Sequence, residues 1–595
     1  PESFAAASAP SGFFQTLALR GELPISLRFY QLNFYGQDTW RVRPNLTLSF
    51  GLRYEYNTPP REMNRQIEDT FDAPELQFVP GLRRFIGERE RIFEPDRNNF
   101  APRVSVAYSP DFFGRDRYAT VLRAGYGLYY DQILGAVVSQ SRNVYPSYLT
   151  VNFAGGLNNL RFVPGSSPRG DACVGFFNQC QFQIVNPSNR LPILGAPLSN
   201  NIRIVQPGTL NTVNPSLSFA QLVSFVNSIV RGPDGAPNVS GFGVTIPEQN
   251  LKMPMAHHFS FTWDQQFGPT LALSVGYIGT RGRNLLRFNT PNLGPNAYVS
   301  PLTFSLLNEG NASNLAFTPS FFGLTLSPGA QLSADNTRIV GGRPVADAGT
   351  IYRFESSASS DYDALQVQLR TRLRRTLQMQ ASYTFSKADD DVSDVFDLAG
   401  ASSLPQNSLD LSGERGPANF DARHRFAYNF IYSLPTFDGR STFLRALFGD
   451  TQIAGIGQFQ TGQPFTVNSI FDVNLDGNLT DRLDSADGLV RTGDRRQPLR
   501  LTADPTALLA PVGQDGSVGR NSYRAGNFLE VDLALIKNFR FGESQGVGLR
   551  VDVFNATNRA NYGIPVRFLE APGFGQAVNT VTPGRRVQVS LKYNF

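Results

Sequence analysis

Residues 377–386 read Leu377-Gln378-Met379-Gln380-Ala381-Ser382-Tyr383-Thr384-Phe385-Ser386: every odd position is apolar or aromatic and every even position polar. Successive side chains of a β-strand point to opposite faces, so this decapeptide predicts a strand with one face in an apolar medium and the other in water. The alternation recurs in 46–56 (LTLSFGLRYEY), 271–277 (LALSVGY), 365–373 (LQVQLRTRL) and 587–595 (VQVSLKYNF). Weaker copies occupy 29–42, 98–109, 119–131, 255–268, 419–434, 451–467, 525–540 and 546–557. The pattern predicts thirteen strands.

These segments run to about 9–15 residues, longer than the strands of soluble proteins and suited to a tilted crossing of a bilayer. The connections alternate between two sizes. Very short links, Arg43-Pro44-Asn45, Gly268-Pro269-Thr270, Arg374-Arg375-Thr376 and Gly542 to Gln545, lie on one side, with 110–118 and 434–450 somewhat longer. The other side carries 57–97, 132–254, 284–360, 389–418, 468–524 and 558–583. Short periplasmic turns and long external loops are the plan of a transmembrane β-barrel. Composition agrees: aromatics reach 12% and charged residues only 17%, and no run of 18 apolar residues marks a spanning helix. A net charge of +5 with four dispersed lysines forms no basic block, so nucleic acid is not an expected partner.

With the short links periplasmic, strand 29–42 and strand 584–595 both run downward, and two downward strands cannot close antiparallel on each other. Residues 1–28 are therefore expected to end an external loop, 29–595 to form the barrel domain, and an odd number of strands to lie upstream. The expectation is an open, curled sheet with 29–42 and 584–595 at its edges, or those two strands forced into an irregular parallel contact.

Several stretches together carry a family resemblance: FYGQDTWRVRPNLTLSFGLRYEY (34–56), NNFAPRVSVAYSP (98–110), LRAGYGLYYD (122–131), SVGYIGTRGRNL (274–285), YDALQVQLRTRL (362–373), SYTFSKADDD (382–391), NFDARHRFAYNFIYSLP (419–435), QTGQPFTV (460–467) and LRVDVFNATNRANYG (549–563). The chain resembles the C-terminal barrel portion of a TonB-dependent outer-membrane transporter of the Oar-like, acidobacterial type. The resemblance implies an all-β, integral outer-membrane protein: an antiparallel barrel of about 22 strands, thirteen of them visible here and nine upstream. It also implies a signal peptide, a carboxypeptidase-regulatory-like domain, a TonB box and a plug, none of which is visible in these residues. Implied partners are outer-membrane lipid, the TonB system through that N-terminal region, and the barrel assembly machinery. The last would read the terminal Val589, Leu591, Tyr593 and Phe595.

Cys173 and Cys180 share one short segment and are expected to form a local disulfide rather than remain free thiols. Asp472, Asn474, Asp476 and Asp481, with Gly477 for a sharp turn, place oxygens as calcium loops do; Leu483 at the twelfth position breaks the EF-hand pattern, and the alternative is a solvated loop. Asp389, Asp390 and Asp391 are expected as exposed loop charge rather than an acidic site. Trp40, Tyr54, Trp263, Tyr277, Tyr383, Phe385 and Tyr593 sit toward strand ends, where rings form a membrane girdle. On the opposite parity Arg53, Glu55, Arg103, Arg123, Gln366, Gln368, Arg370, Arg372, Gln378, Gln380, Arg550 and Asp552 are expected to face the lumen.

Phe219, Leu222, Val223, Val226, Ile229 and Val230, stopped by Gly232, predict a short amphipathic helix in the largest loop. His257 and His258 are adjacent and must face opposite sides of a strand. His424 lacks any nucleophile motif, and with no G-x-S-x-G, P-loop or H-E-x-x-H the chain is not read as an enzyme. Calcium aside, no cofactor is expected.

The functional expectation is the barrel part of an energy-coupled transporter for a large or scarce ligand that the sequence does not name. A plug-free porin or surface adhesin is the alternative.

Overall fold

The structure is a computed structural model, and it describes residues 25–133, 244–294 and 351–595 apart from short gaps, with isolated short segments elsewhere. Thirteen long strands form one continuous sheet: β1 (Gln31–Arg43), β2 (Leu46–Asn57), β3 (Phe100–Tyr108), β4 (Thr120–Tyr130), β5 (Met255–Phe267), β6 (Leu271–Asn289), β7 (Ile351–Leu373), β8 (Leu377–Asp390), β9 (His424–Ser433), β10 (Thr451–Gln460), β11 (Phe528–Phe541), β12 (Gln545–Phe554) and β13 (Arg586–Asn594). Each pairs antiparallel with its neighbour in chain order, and two short strands, Val244–Pro247 and Gly416–Pro417, attach to β7 and β8. The sheet ends on β1 and β13, and no pairing joins them among the described residues. Two open edges result, as the strand directions require.

The register assembles the alternating residues into faces. Trp263 lies opposite Val275, Val275 opposite Val367, Val367 opposite Tyr383 and Tyr383 opposite Phe426. One position along, Ser274, Gln368, Ser382 and Ala427 form a row on the other face, with Gln368 Nε2 donating to Ser382 Oγ at 3.3 Å. The apolar face is bare: Trp40, Phe50, Val104, Phe261, Leu365, Phe385, Leu535 and Leu591 are all exposed. Soluble proteins rarely expose a contiguous apolar patch beyond a few hundred Å². Hydrocarbon, not water, is the medium that makes this face stable.

Two strands run far beyond the apolar band. The sequence predicts 271–277 and 365–373; β6 continues to Asn289 and β7 begins at Ile351. In this extension the side chains pair by charge instead: Arg281 Nη2 meets Asp363 at 2.8 Å, Arg283 Nη1 meets Asp361 at 2.9 Å, and Arg415 also reaches Asp361. Charged pairs hold the lower part of the extension and its top, with Leu286, Ile351 and Phe354, packs into the external loops, so the alternation fades while the ladder persists. β10, conversely, stops at Gln460; Pro464–Phe465 leaves the wall and pairs with Tyr523–Arg524.

The long connections build an external layer with its own cores. One packs Ile67, Phe71, Leu82 and Ile86 against Val137, Ile246, Ile351 and Phe354. Inside it the buried Arg89 donates to the carbonyls of Ile86 (2.5 Å), Ile92 (3.0 Å) and Pro247 (2.8 Å) and lies over the Phe71 ring. Burial lowers the guanidinium pKa to about 10, still cationic at neutral pH. Arg89→Met is expected to strand these carbonyls and cost about 1–3 kcal/mol of local stability, seen as faster hydrogen exchange in 57–97 with the strands unaffected.

A second core joins Phe465, Val467, Leu483, Leu499, Leu508, Tyr523 and Leu569. Gly575 adjoins it at φ +75°, where a Cβ would stand 2.1 Å from Leu499 O; only glycine fits. On the short-link side a helix, Thr442–Phe448, is capped by Ser441 Oγ and leaves Phe443 and Leu447 exposed.

Candidate functional site in the lumen and external loops

The polar face of β1–β5 encloses a groove of about 730 Å³, lined by Gln37, Ser49, Arg53, Arg103, Tyr129 and His258 among others. Strand parity places these side chains inward, and contacts fix them. The Arg103 guanidinium lies 4.3 Å over the Tyr129 ring, whose edge meets His258 at 5.0 Å; His258 Nδ1 is 2.9 Å from Thr280 Oγ1. Such a surface offers cationic, aromatic and hydrogen-bonding groups together. Arg53 pairs with Glu55 at 2.7 Å, Arg123 with Asp264, and Arg550 with Asp552 at 2.8 Å, so several of the inward arginines are neutralised within the wall. Tyr129 escapes sequence reading because 124–130 sets only glycines and aromatic or apolar residues on either parity, so nothing there contrasts the two faces.

His257 faces outward with its Nδ1 2.8 Å from Tyr126 Oη, opposite in direction to His258. His424 Nδ1 is 2.8 Å from Tyr383 Oη, and its ring also packs on Phe385; its partners supply neither a serine nor a carboxylate. Trp40, Tyr54, Trp263, Tyr277, Tyr383, Phe385 and Tyr593 all fall on the outward parity, opposite Leu48, Phe100, Val275, Leu365, Val367, Leu365 and Val547. Val589, Leu591 and Tyr593 line the outward side of the edge strand β13, and Phe595 is 93% exposed beyond it.

The three adjacent aspartates do not form exposed loop charge. Asp390 is buried against Arg520, Asp391 Oδ1 accepts from Arg287 at 3.0 Å, and Asp389 pairs with Lys387 at 2.5 Å. Each carboxylate has its own cation, which three neighbours in sequence could not reveal. Two further pairs, the buried Arg482–Glu414 at 2.8 Å and the half-exposed Arg524 on the buried Asp421 at 2.5 Å, tie the external loops across chain separations of 68 and 103 residues.

Nor are Asn474, Asp476 and Asp481 solvated: they are 0%, 0% and 1% exposed. Asp481 Oδ1 accepts from Asn474 N–H at 3.2 Å, Asn474 Oδ1 accepts from Asp476 N–H at 3.0 Å, and Asp476 accepts twice from Asn478, at 2.7 and 3.1 Å. Burial pushes the Asp476 carboxyl up to about 7; burial and the Asp476 charge push Asp481 well above the usual carboxylate range. Asp472, Cys173, Cys180 and the predicted helix from Phe219 to Val230 lie outside the described residues.

An antiparallel wall in unbroken chain order, with a bare apolar exterior, a polar interior and unequal connections, defines a β-barrel of the bacterial outer membrane. The chain belongs to the outer membrane beta barrel domain family, whose model matches residues 3–588, and it is an integral outer-membrane protein. It is similar to the outer membrane transporter YddB from Escherichia coli, at 9% identity over 96% of this chain and 45% of that one, with a TM-score of 0.41. Similarity extends to the siderophore receptor PirA from Acinetobacter baumannii (9%, 97% and 47%, TM-score 0.39) and the FrpB iron transporter from Neisseria meningitidis (10%, 96% and 56%, TM-score 0.31). The chain spans about half the length of these proteins. No curated protein matches it.

Proposed function

We propose that this chain is the barrel wall of a TonB-dependent outer-membrane transporter of the Oar-like, acidobacterial type. It moves a large or scarce ligand and is coupled to energy through a plug and TonB box outside these residues. The observation that carries the reading is the groove of about 730 Å³ on the polar face of β1–β5, which the wall's own side chains leave unfilled. Small barrels fill their interiors with side chains, whereas wide ones hold water or a plug. The Arg103–Tyr129–His258 surface then serves as wall for a plug or a passing ligand, and the external loops select what enters. Outer-membrane lipid, the TonB system and the barrel assembly machinery are the partners this role requires.

The natural gene product decides the matter. A coding sequence carrying a plug and TonB box, capture by the periplasmic domain of TonB, and no steady ion conductance in planar bilayers are the expected results. A large steady conductance without TonB capture would contradict the proposal and favour a porin.

A further inference from the structure

We propose that Asp476 and Asp481, with the Asn474 amide oxygen, bind a calcium ion that fastens three external loops together. The inference goes beyond the transport reading and does not depend on it. Its starting point is Asp481, 1% exposed, whose Oδ2 has no hydrogen-bond partner among the described residues. No ion pair of the described residues involves Asp481, and the adjacent Arg482 turns away to Glu414 Oε1 and Gly413 O. The charges that do act on Asp481 are those of two other carboxylates, the fully buried Asp476 and, more weakly, Asp515.

Burying a carboxylate without a counter-charge costs several kcal/mol, so the charge must be removed or matched. A proton removes it but leaves Oδ2 an orphan donor in place of an orphan acceptor. A cation that prefers oxygen matches the charge and fills the vacant coordination of Oδ2 at once. Calcium fits better than magnesium here, because it accepts irregular shells of six to eight carboxylate, amide, main-chain and water oxygens, whereas magnesium demands a near-octahedral shell and parts reluctantly with water. Among the described residues no three His, Cys, Asp or Glu side chains form a ready metal group, so two carboxylates would anchor the ion and neutral oxygens complete its shell.

The surroundings explain what such an ion would do. Asn474 Nδ2 donates to Gln406 O at 3.0 Å and to Asp515 Oδ1 at 2.8 Å, and Asn478 Nδ2 donates to Thr290 Oγ1 at 3.0 Å. Loops following β6, β8 and β10 thus converge on one turn. An ion there would order the layer above the lumen as one unit.

The test uses the full chain, purified from outer membranes in detergent and stripped with a chelator. Calcium alone, at about one ion per chain, is expected to bind and to protect 404–423 and 480–524 from proteolysis, with magnesium ineffective at equal concentration. Asp481→Asn, isosteric and uncharged, should weaken calcium binding by about tenfold or more. It should also protect the chelated loops relative to the chelated parent, because the orphan charge is gone. Absence of bound calcium in the parent protein, equal protection by magnesium, or undiminished binding by Asp481→Asn would each overturn the proposal. Direct metal counting on the parent keeps the test decisive even if the variant fails to fold.

Discussion

Replacing Glu414 by alanine is expected to loosen the external layer by about 3–5 kcal/mol, the largest single effect foreseen for these loops. Glu414 Oε1 receives Arg482 Nη1 at 2.8 Å and Gln406 N–H at 3.2 Å, and the two side chains of the ion pair are only 6% and 7% exposed. Removing the carboxylate leaves a buried guanidinium with Gly413 O, at 3.2 Å, as its remaining side-chain hydrogen bond among the described residues. The double replacement Glu414→Leu/Arg482→Met should recover much of the loss, since a well-packed apolar pair often equals a buried ion pair. Hydrogen exchange in 404–423 and 480–524 measures both, and equal protection in Glu414→Ala and the parent would show that the pair contributes little.

The second large effect belongs to the wall. Leu369 lies four residues above Leu373, where the short link to β8 begins, and four below Leu365, level with Tyr277; its neighbours are Leu273 and Ala381. That is the middle of the apolar band, where an arginine facing lipid costs about 2–4 kcal/mol. Leu369→Arg should therefore unfold at markedly lower denaturant from phospholipid vesicles. Gln366→Arg, on the opposite parity between Gly276 and Thr384, should stay within about 0.5 kcal/mol of the parent. Met379 is a weaker probe than its sequence position suggests, because it sits two residues from the strand end at Leu377, near the interface.

The wall was legible because lipid imposes a period of two that each strand carries locally. Residues 377–386 show it without help from any other part of the chain. The extensions of β6 and β7 were not: in 351–364 the sequence IYRFESSASSDYDA lies above the apolar band, where Ile351 and Phe354 pack into the external layer while Asp361 and Asp363 pair with arginines, and no period of two survives. The external layer was hidden for a different reason. Glu414 and Arg482, or Asp421 and Arg524, look like ordinary surface charges until the fold brings them together, and Asp390 gives no sign of its burial against Arg520. The turn at Asn474, Asp476 and Asp481 was visible as a pattern of oxygens, but its burial depends on Gln406 and Thr290 from distant loops.

Odd positions of β8 meet lipid and even positions meet water. Single nitroxide labels placed in turn at 377–386, in a chain with Cys173 and Cys180 replaced by serine, test it by power saturation in lipid vesicles. Collision with oxygen, which concentrates in lipid, is expected to peak at Met379, Ala381, Tyr383 and Phe385, and collision with a water-soluble nickel chelate at Gln378, Gln380, Ser382 and Thr384. Uniform water access, or oxygen access without a period of two, would contradict it.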